Sequence, residues 1–119
     1  MAYVDGFLLA IPARKLALYR RISTLAGKVW KSHGALEYRE CIGEDLAQKG
    51  AATFQKRVKA KRGEVVVFSW VVYKSKADRK RVVKKVMADK RLANMMDPKD
   101  MPFDMKRMSY GGFKVLVDL

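Results

Sequence analysis

Ten consecutive residues, Glu64-Val65-Val66-Val67-Phe68-Ser69-Trp70-Val71-Val72-Tyr73, restrict the possible folds of this chain more than any other stretch. β-Branched and aromatic side chains suit a pleated strand, and the run is too short for a membrane helix, which needs about twenty apolar residues. Side chains of a strand alternate between its faces. Val65, Val67, Val71 and Tyr73 therefore lie with Ser69 on one face, while Val66, Phe68, Trp70 and Val72 lie on the other. Both faces need cover, so this strand belongs at the centre of a sheet.

The flanking sequence supplies the other elements. Tyr3 to Ile11 alternates Tyr3, Asp5, Phe7, Leu9 and Ile11 against Val4, Gly6, Leu8 and Ala10, a second strand with two apolar faces, and Pro12 ends it. From there to Ser32 a helix is expected, with Leu18, Ile22, Leu25 and Val29 in one stripe and Tyr19, Ala26 and Trp30 beside it. Gly34 suits the left-handed position that closes a helix. Leu36 to Gly43 sets charges among apolar residues and reads as an edge strand. Glu44 to Gly63 is expected to be a long basic connection or ribbon with Leu46, Phe54 and Val58 as its large apolar anchors.

After the central strand, Ser75 and Asp78 have the spacing of a reciprocal helix cap. Val82, Val83, Val86 and Met87 then form the buried stripe of a second helix. Arg91 to Met96 suggests a short helical turn, Asp97 to Met108 a loop shaped by Pro98 and Pro102, and Ser109 to Leu119 a closing strand. The order strand, helix, strand, strand, helix, strand predicts one α+β domain over residues 1–119 with the ferredoxin-like βαββαβ plan. Its four-stranded antiparallel sheet would carry both helices on one face. The opposite face is also apolar, which predicts that a second copy covers it in a homodimer of the dimeric α/β barrel kind.

The formal net charge of +14 is unevenly distributed: residues 49–91 hold 15 Lys or Arg and 3 acidic residues. Such a field can steer nucleic acid, anionic lipid or acidic metabolites, and it equally describes a solvated face. Lys80, Arg81, Lys84 and Lys85 are the candidate nucleic-acid contacts, while Tyr3 and Phe7 superficially match the base-stacking strand aromatics of RNA-recognition domains. Tyr110-Gly111-Gly112-Phe113 opens the last strand, whereas the longer motif of that module belongs on the third. The start of the chain lacks a secretory pattern, so a cytoplasmic location without membrane attachment is expected.

Several longer segments together carry a family resemblance: Tyr3-Val4-Asp5-Gly6-Phe7, His33 through Cys41, Val67-Phe68-Ser69-Trp70, Met96 through Asp104, and Tyr110-Gly111-Gly112-Phe113. In these the chain resembles the YbaA-like family of small bacterial proteins, classed as a domain of unknown function. The resemblance spans nearly the whole chain. It implies a dimeric ferredoxin-like barrel and supplies no reaction, cofactor or catalytic residue.

With one cysteine, Cys41, and one histidine, His33, the chain can form neither an internal disulfide nor a multi-thiolate or multi-histidine metal centre. No cofactor motif is present, and none is expected to be bound. Asp97, Asp100 and Asp104 suit turn chemistry better than hard-cation binding, since they lack a calcium-loop spacing. Met95, Met96, Met101, Met105 and Met108 fit either gap filling in a core or the wall of an adaptable pocket. The candidate small-molecule site is the end of the first helix, where Trp30, His33 and Tyr38 could converge. Three function classes follow: a small-molecule-binding or enzymatic barrel, a basic nucleic-acid binder, or an interaction dimer without chemistry.

Overall fold

The two strands that are apolar on both faces, β1 (Tyr3–Pro12) and β3 (Glu64–Tyr73), pair antiparallel along their whole length, from Tyr3 opposite Tyr73 to Pro12 opposite Glu64. Described in a computed structural model are residues 1–95 and 101–119. β2 (Glu37–Ile42) adds beside β3 and β4 (Ser109–Lys114) beside β1, giving the antiparallel order β2-β3-β1-β4. The charged β2 is therefore an edge strand, and the ferredoxin-like α+β plan holds.

A 3₁₀ turn at Ala13–Lys15 leads into α1 (Leu16–Ser32). α2 is the single turn Phe54–Arg57, and after β3 come α3 (Lys76–Met87) and α4 (Lys90–Met95). On one sheet face, Val71 and Tyr73 pack with Val29 of α1, Val82 and Val86 of α3 and Leu92 of α4. Leu9, Ile11 and Val67 continue this layer around Tyr19. The alternation of β1 and β3 thus sorts their side chains as expected. No helix among the described residues is long and apolar enough to cross a membrane.

The opposite face, expected to need a second copy, takes part of its cover from the chain itself: Val58, Leu46 and Ala60 of the 44–63 connection pack over Ala10 and Val66 at one end of the sheet. Two of the three expected anchors, Leu46 and Val58, meet the same strand ends, while Phe54 is 46% exposed with its ring centroid 6.1 Å from that of Phe68. The remainder of the face is a shallow depression lined by Val4, Gly6, Leu8, Phe68, Trp70, Val72 and Phe113. Phe68 is 46% exposed and Phe113 62%.

β4 is shorter than its alternation suggests. Lys114 lies opposite Tyr3, where β1 begins, so the residues beyond have almost no neighbouring strand to pair with. One further bond joins the Val115 N–H to the Ala2 carbonyl at 3.4 Å, and Leu116, Val117 and Leu119 are exposed. Alternation alone does not make a strand, because the ladder needs a second backbone.

The start of α3 lies at the expected residue. Ser75 Oγ accepts the Asp78 N–H at 3.0 Å. The reciprocal half of the cap is missing, because the Asp78 carboxylate instead accepts both Nε and Nη2 of Arg81, at 2.9 and 2.6 Å. A bidentate charged donor three residues along the helix outcompetes a single backbone N–H. Ser75→Ala should therefore lower the stability by about 0.5–2 kcal/mol, the usual worth of one N-cap. Urea unfolding would register this as a lower midpoint at unchanged slope; an unchanged midpoint would assign no weight to the cap.

Candidate functional site

The end of α1 sets the geometry of the site. Gly34 takes φ +118°, its N–H donates to the Lys31 carbonyl at 3.2 Å, and the Ala35 N–H donates to the Trp30 carbonyl at 3.1 Å. This paired closure, a Schellman motif, satisfies the last carbonyls of the helix and reverses the chain at once. The Leu36 N–H already donates to the Val72 carbonyl at 2.8 Å, so β2 begins beside β3 without slack. Tyr38 lies opposite Val71 and faces the helices, with its ring centroid 6.1 Å from that of Trp30. It lies against α1 at Gly27, where a Cβ would stand 2.8 Å from the tyrosine ring. A mid-helix glycine is costly in itself, and here its missing side chain makes room for Tyr38.

Between the sheet and α1, α3 and α4 lies a cavity of about 350 Å³. Phe7, Leu9, Trp30, Tyr38, Val83, Met87, Leu92, Phe103 and three further methionines, Met101, Met105 and Met108, are among its lining residues. These methionines thus contribute to a pocket wall. Two carboxylates interrupt the apolar surface, Glu40 and Asp5.

Glu40 lies across from Ser69 in the β2–β3 ladder. Its Oε2 accepts the Tyr19 hydroxyl at 2.6 Å and its Oε1 the Tyr38 hydroxyl at 3.0 Å. Burial raises the Glu40 carboxyl above its ordinary value, against the Tyr19, Tyr38 and Ser69 hydroxyls, which favour the charged form. Both phenols are raised in turn, first by burial and then by the adjoining carboxylate.

Asp5 is 1% exposed. Its Oδ2 accepts the Tyr73 hydroxyl at 2.9 Å and Arg79 Nε at 3.1 Å. Arg79 Nη2 stands 2.9 Å from Oδ1 as an ion pair, and Oδ1 accepts no hydrogen bond among the described residues. The network extends through Trp30 Nε1, which donates to the Tyr73 hydroxyl at 3.0 Å, and Arg79 Nη2, which donates to the Tyr110 hydroxyl at 2.7 Å. Hydrogen bonding to Asp5 holds the Arg79 guanidinium still more firmly in its charged form.

Of the three residues expected to converge, Trp30 and Tyr38 do so and His33 does not. His33 is the C-cap residue of α1, and its Nε2 lies 2.7 Å from Asp89 Oδ2, away from the cavity lining. Hydrogen bonds from Arg91 and then from His33 hold the Asp89 carboxyl below its ordinary range. Asp89 receives the Arg91 N–H on its other oxygen, at 2.9 Å, so a charged acceptor is already positioned where the imidazole can reach it. Spacing alone puts His33 on the Trp30 face; that acceptor turns it aside.

Lys80, Arg81, Lys84 and Lys85 are all exposed on α3, with Arg81 held by Asp78. Tyr3 and Phe7 cannot stack bases from the open face: Phe7 stacks on Tyr110 at 4.8 Å beneath the helices, and Arg79 lies 5.6 Å over the Tyr3 ring. Cys41 is half-buried opposite Phe68, without a second thiol. Asp104 Oδ1 caps the 3₁₀ turn Met105–Arg107 by accepting the Lys106 N–H at 2.9 Å. Asp97, Asp100 and Met96 lie outside the described residues.

Comparison with known proteins agrees with this architecture. Residues 2–105 match the model of a protein family of unknown function, DUF1428. The chain belongs to that family. It is 42% identical over 118 residues to the uncharacterized protein YbaA of Escherichia coli strain K12, covering 99% of each. Among solved structures, an uncharacterized NIPSNAP domain protein from Burkholderia xenovorans superposes with a TM-score of 0.59 at 15% identity, over 95% of this chain and 93% of that one. Rv0793 from Mycobacterium tuberculosis gives 0.58 at 10% identity, over 99% and 98%. At such identities these two structures speak for the fold alone.

The residues that the sequence reading passed over are Asp5, Tyr19, Glu40 and Arg79. Their signal was present: Asp5 and Glu40 are lone acids on the inward-facing alternations of strands. A raised carboxyl has a direct thermodynamic consequence. The native state keeps a proton on Glu40 where the unfolded chain has released it, so this stabilisation is complete below the unfolded value and is lost as pH rises through the folded one. Glu40→Gln should accordingly gain stability relative to wild type as pH rises from about 4 to about 8. Urea midpoints of both proteins across that range would show the difference widening with pH; a constant difference would mean that burial does not shift this carboxyl.

Proposed function

We propose that this protein binds a small organic molecule in the cavity between the sheet and the helices, and that it does so as a homodimer of the dimeric α/β barrel kind. The observation that carries the reading is the composition of the cavity wall. Aromatic and methionine side chains make up half of its lining residues, and the charged side chains among them are Asp5, which Arg79 pairs, Glu40, and Arg39, which bonds Glu37. Ligand pockets have this character: an apolar body gives affinity, and a few fixed polar groups orient the guest. The ligand is accordingly a largely apolar molecule with one polar end that meets Glu40 and Tyr38.

Thermal-shift screening of the purified protein against a metabolite library tests the binding. A hit should lose roughly three- to tenfold in affinity on Tyr38→Phe, which removes one hydrogen-bonding hydroxyl. His33→Ala, which alters a contact with Asp89 outside the cavity, should leave affinity unchanged. A ligand indifferent to Tyr38→Phe and sensitive to His33→Ala would move the site to the α1–α4 junction.

Dimerisation is supported by the uncovered half of the second sheet face, where Phe68, Trp70 and Phe113 lie side by side. Obligate interfaces of this kind bury more than about 2,000 Å². Light scattering coupled to gel filtration should return twice the 13.6 kDa chain mass. A monomer at micromolar concentration would leave this face open and overturn the dimer.

A further inference from the structure

Tyr19, Ser23, Tyr38, Arg39 and Glu40 line the inner cavity and also a broad outer groove of about 1530 Å³ between α1 and β2. Glu40 thus stands in the wall between the groove and the cavity. We infer that Glu40 is a general acid–base group that moves a proton at a carbon next to a carbonyl, in a neutral, largely apolar substrate held in the cavity. The inference rests on the cavity being the ligand site and adds the class of reaction.

The argument starts from the partners of the two inward carboxylates. Asp5 is paired with a guanidinium, a partner that stabilises only the ionised acid. Glu40 has no cation among its hydrogen-bond partners; it is held by hydroxyls, from Tyr19 on α1 at 2.6 Å and from Tyr38 on β2 at 3.0 Å, with Ser69 on β3 beside it. A hydroxyl donates to a carboxylate and accepts from a carboxylic acid, so this cluster stays satisfied in either protonation state. Arg39 lines both spaces but bonds Glu37 at 2.9 Å; Arg20, Lys28 and Lys31 line the outer groove and not the cavity, and Asp5 across the cavity is already matched by Arg79. Such an environment suits a proton carrier, and burial moves its basicity toward neutral pH, as general-base work requires.

The reaction balances without an oxidant, reductant or second substrate. A Glu40 oxygen takes the proton from the carbon, the C–H electron pair becomes the C=C π bond, and the carbonyl π pair moves onto oxygen. Negative charge passes from the carboxylate to the enolate oxygen. The Tyr38 hydroxyl, released by the now neutral acid, turns its O–H to that oxygen, so the donor follows the charge. Return of the proton to the same carbon is exchange; return to the far end of a conjugated system is double-bond isomerisation. Because Glu40 also borders the groove, its proton equilibrates with water between turnovers.

β-Tetralone, phenylacetone and a β,γ-unsaturated cyclic ketone are suitable probes, each incubated with the protein in D₂O and followed by proton NMR. Binding is read in parallel by saturation transfer. Wild type should accelerate loss of the α-proton signal of at least one bound ketone by about 100-fold or more over an equal concentration of acetate. Its rate should fall along a single acid limb as Glu40 becomes protonated. Glu40→Gln should bind the ketone and exchange at the buffer rate, Glu40→Asp should recover part of the rate, and Tyr38→Phe should lower the rate more than the binding. Ketones that bind without accelerated exchange, or a Glu40→Gln variant that exchanges as fast as wild type, would overturn the acid–base role and leave the binding site intact. If no probe binds, the cavity reading falls and this inference falls with it.

Discussion

The ion pair of Asp5 and Arg79 holds the site together. A carboxylate buried on the central strand of a sheet is tolerable only with a matching charge and hydrogen bonds, since an unpaired charge in that position costs several kcal/mol. Arg79 supplies the charge from α3 and Tyr73 a hydroxyl from β3. Through Tyr110 the same guanidinium reaches β4, and through Tyr73 the network reaches Trp30 on α1. One buried acid thereby sets the position of four elements around the cavity. Any packing of α3 that left Arg79 out of reach would strand Asp5, which favours a single arrangement of helix on sheet.

The second carboxylate depends on backbone geometry more than on charge. The Schellman closure after Ser32 reverses the chain in two residues, so β2 begins directly beneath the helix end. Tyr38 then lies against α1 at Gly27, and Glu40, two residues on, falls between Tyr38 and Tyr19. A longer turn would loosen this register. The two acids end in opposite surroundings within one cavity: Asp5 is paired with a guanidinium, and Glu40 is held by neutral hydroxyls with its proton affinity raised by burial. Environment, not residue type, sets the two carboxylates apart.

The second face of the sheet shows how a short chain covers a strand that is apolar on both sides. Half of the cover comes from the chain itself, because Leu46, Val58 and Ala60 fold over Ala10 and Val66. The rest leaves Phe68 and Phe113 half in water. With the helices committed to the other side, the described chain has no further regular element for this surface.

Much of this was legible from residues alone, wherever a pattern repeats. Alternation over Tyr3 to Ile11 and Glu64 to Tyr73 revealed both central strands and their faces, charges within Leu36 to Gly43 marked the edge, Gly34 marked the helix end, and Ser75 the start of α3. Each is a local property, because side-chain period and capping chemistry act over a few residues. Trp30 and Tyr38 could be brought together on paper for the same reason: one short turn joins them. Tertiary structure decided what depends on distant partners. His33 turned to Asp89 because that residue, just before α4, offers a charged acceptor 56 positions away. The alternating tail after Lys114 stayed out of the sheet because Lys114 already lies opposite Tyr3, the first residue of β1. Asp5 looked like a single interruption of an apolar strand and Glu40 like one more charge on an edge strand until folding placed Arg79 against one and Tyr19 against the other, since a buried charge takes its meaning from the groups around it, and those are set by the fold.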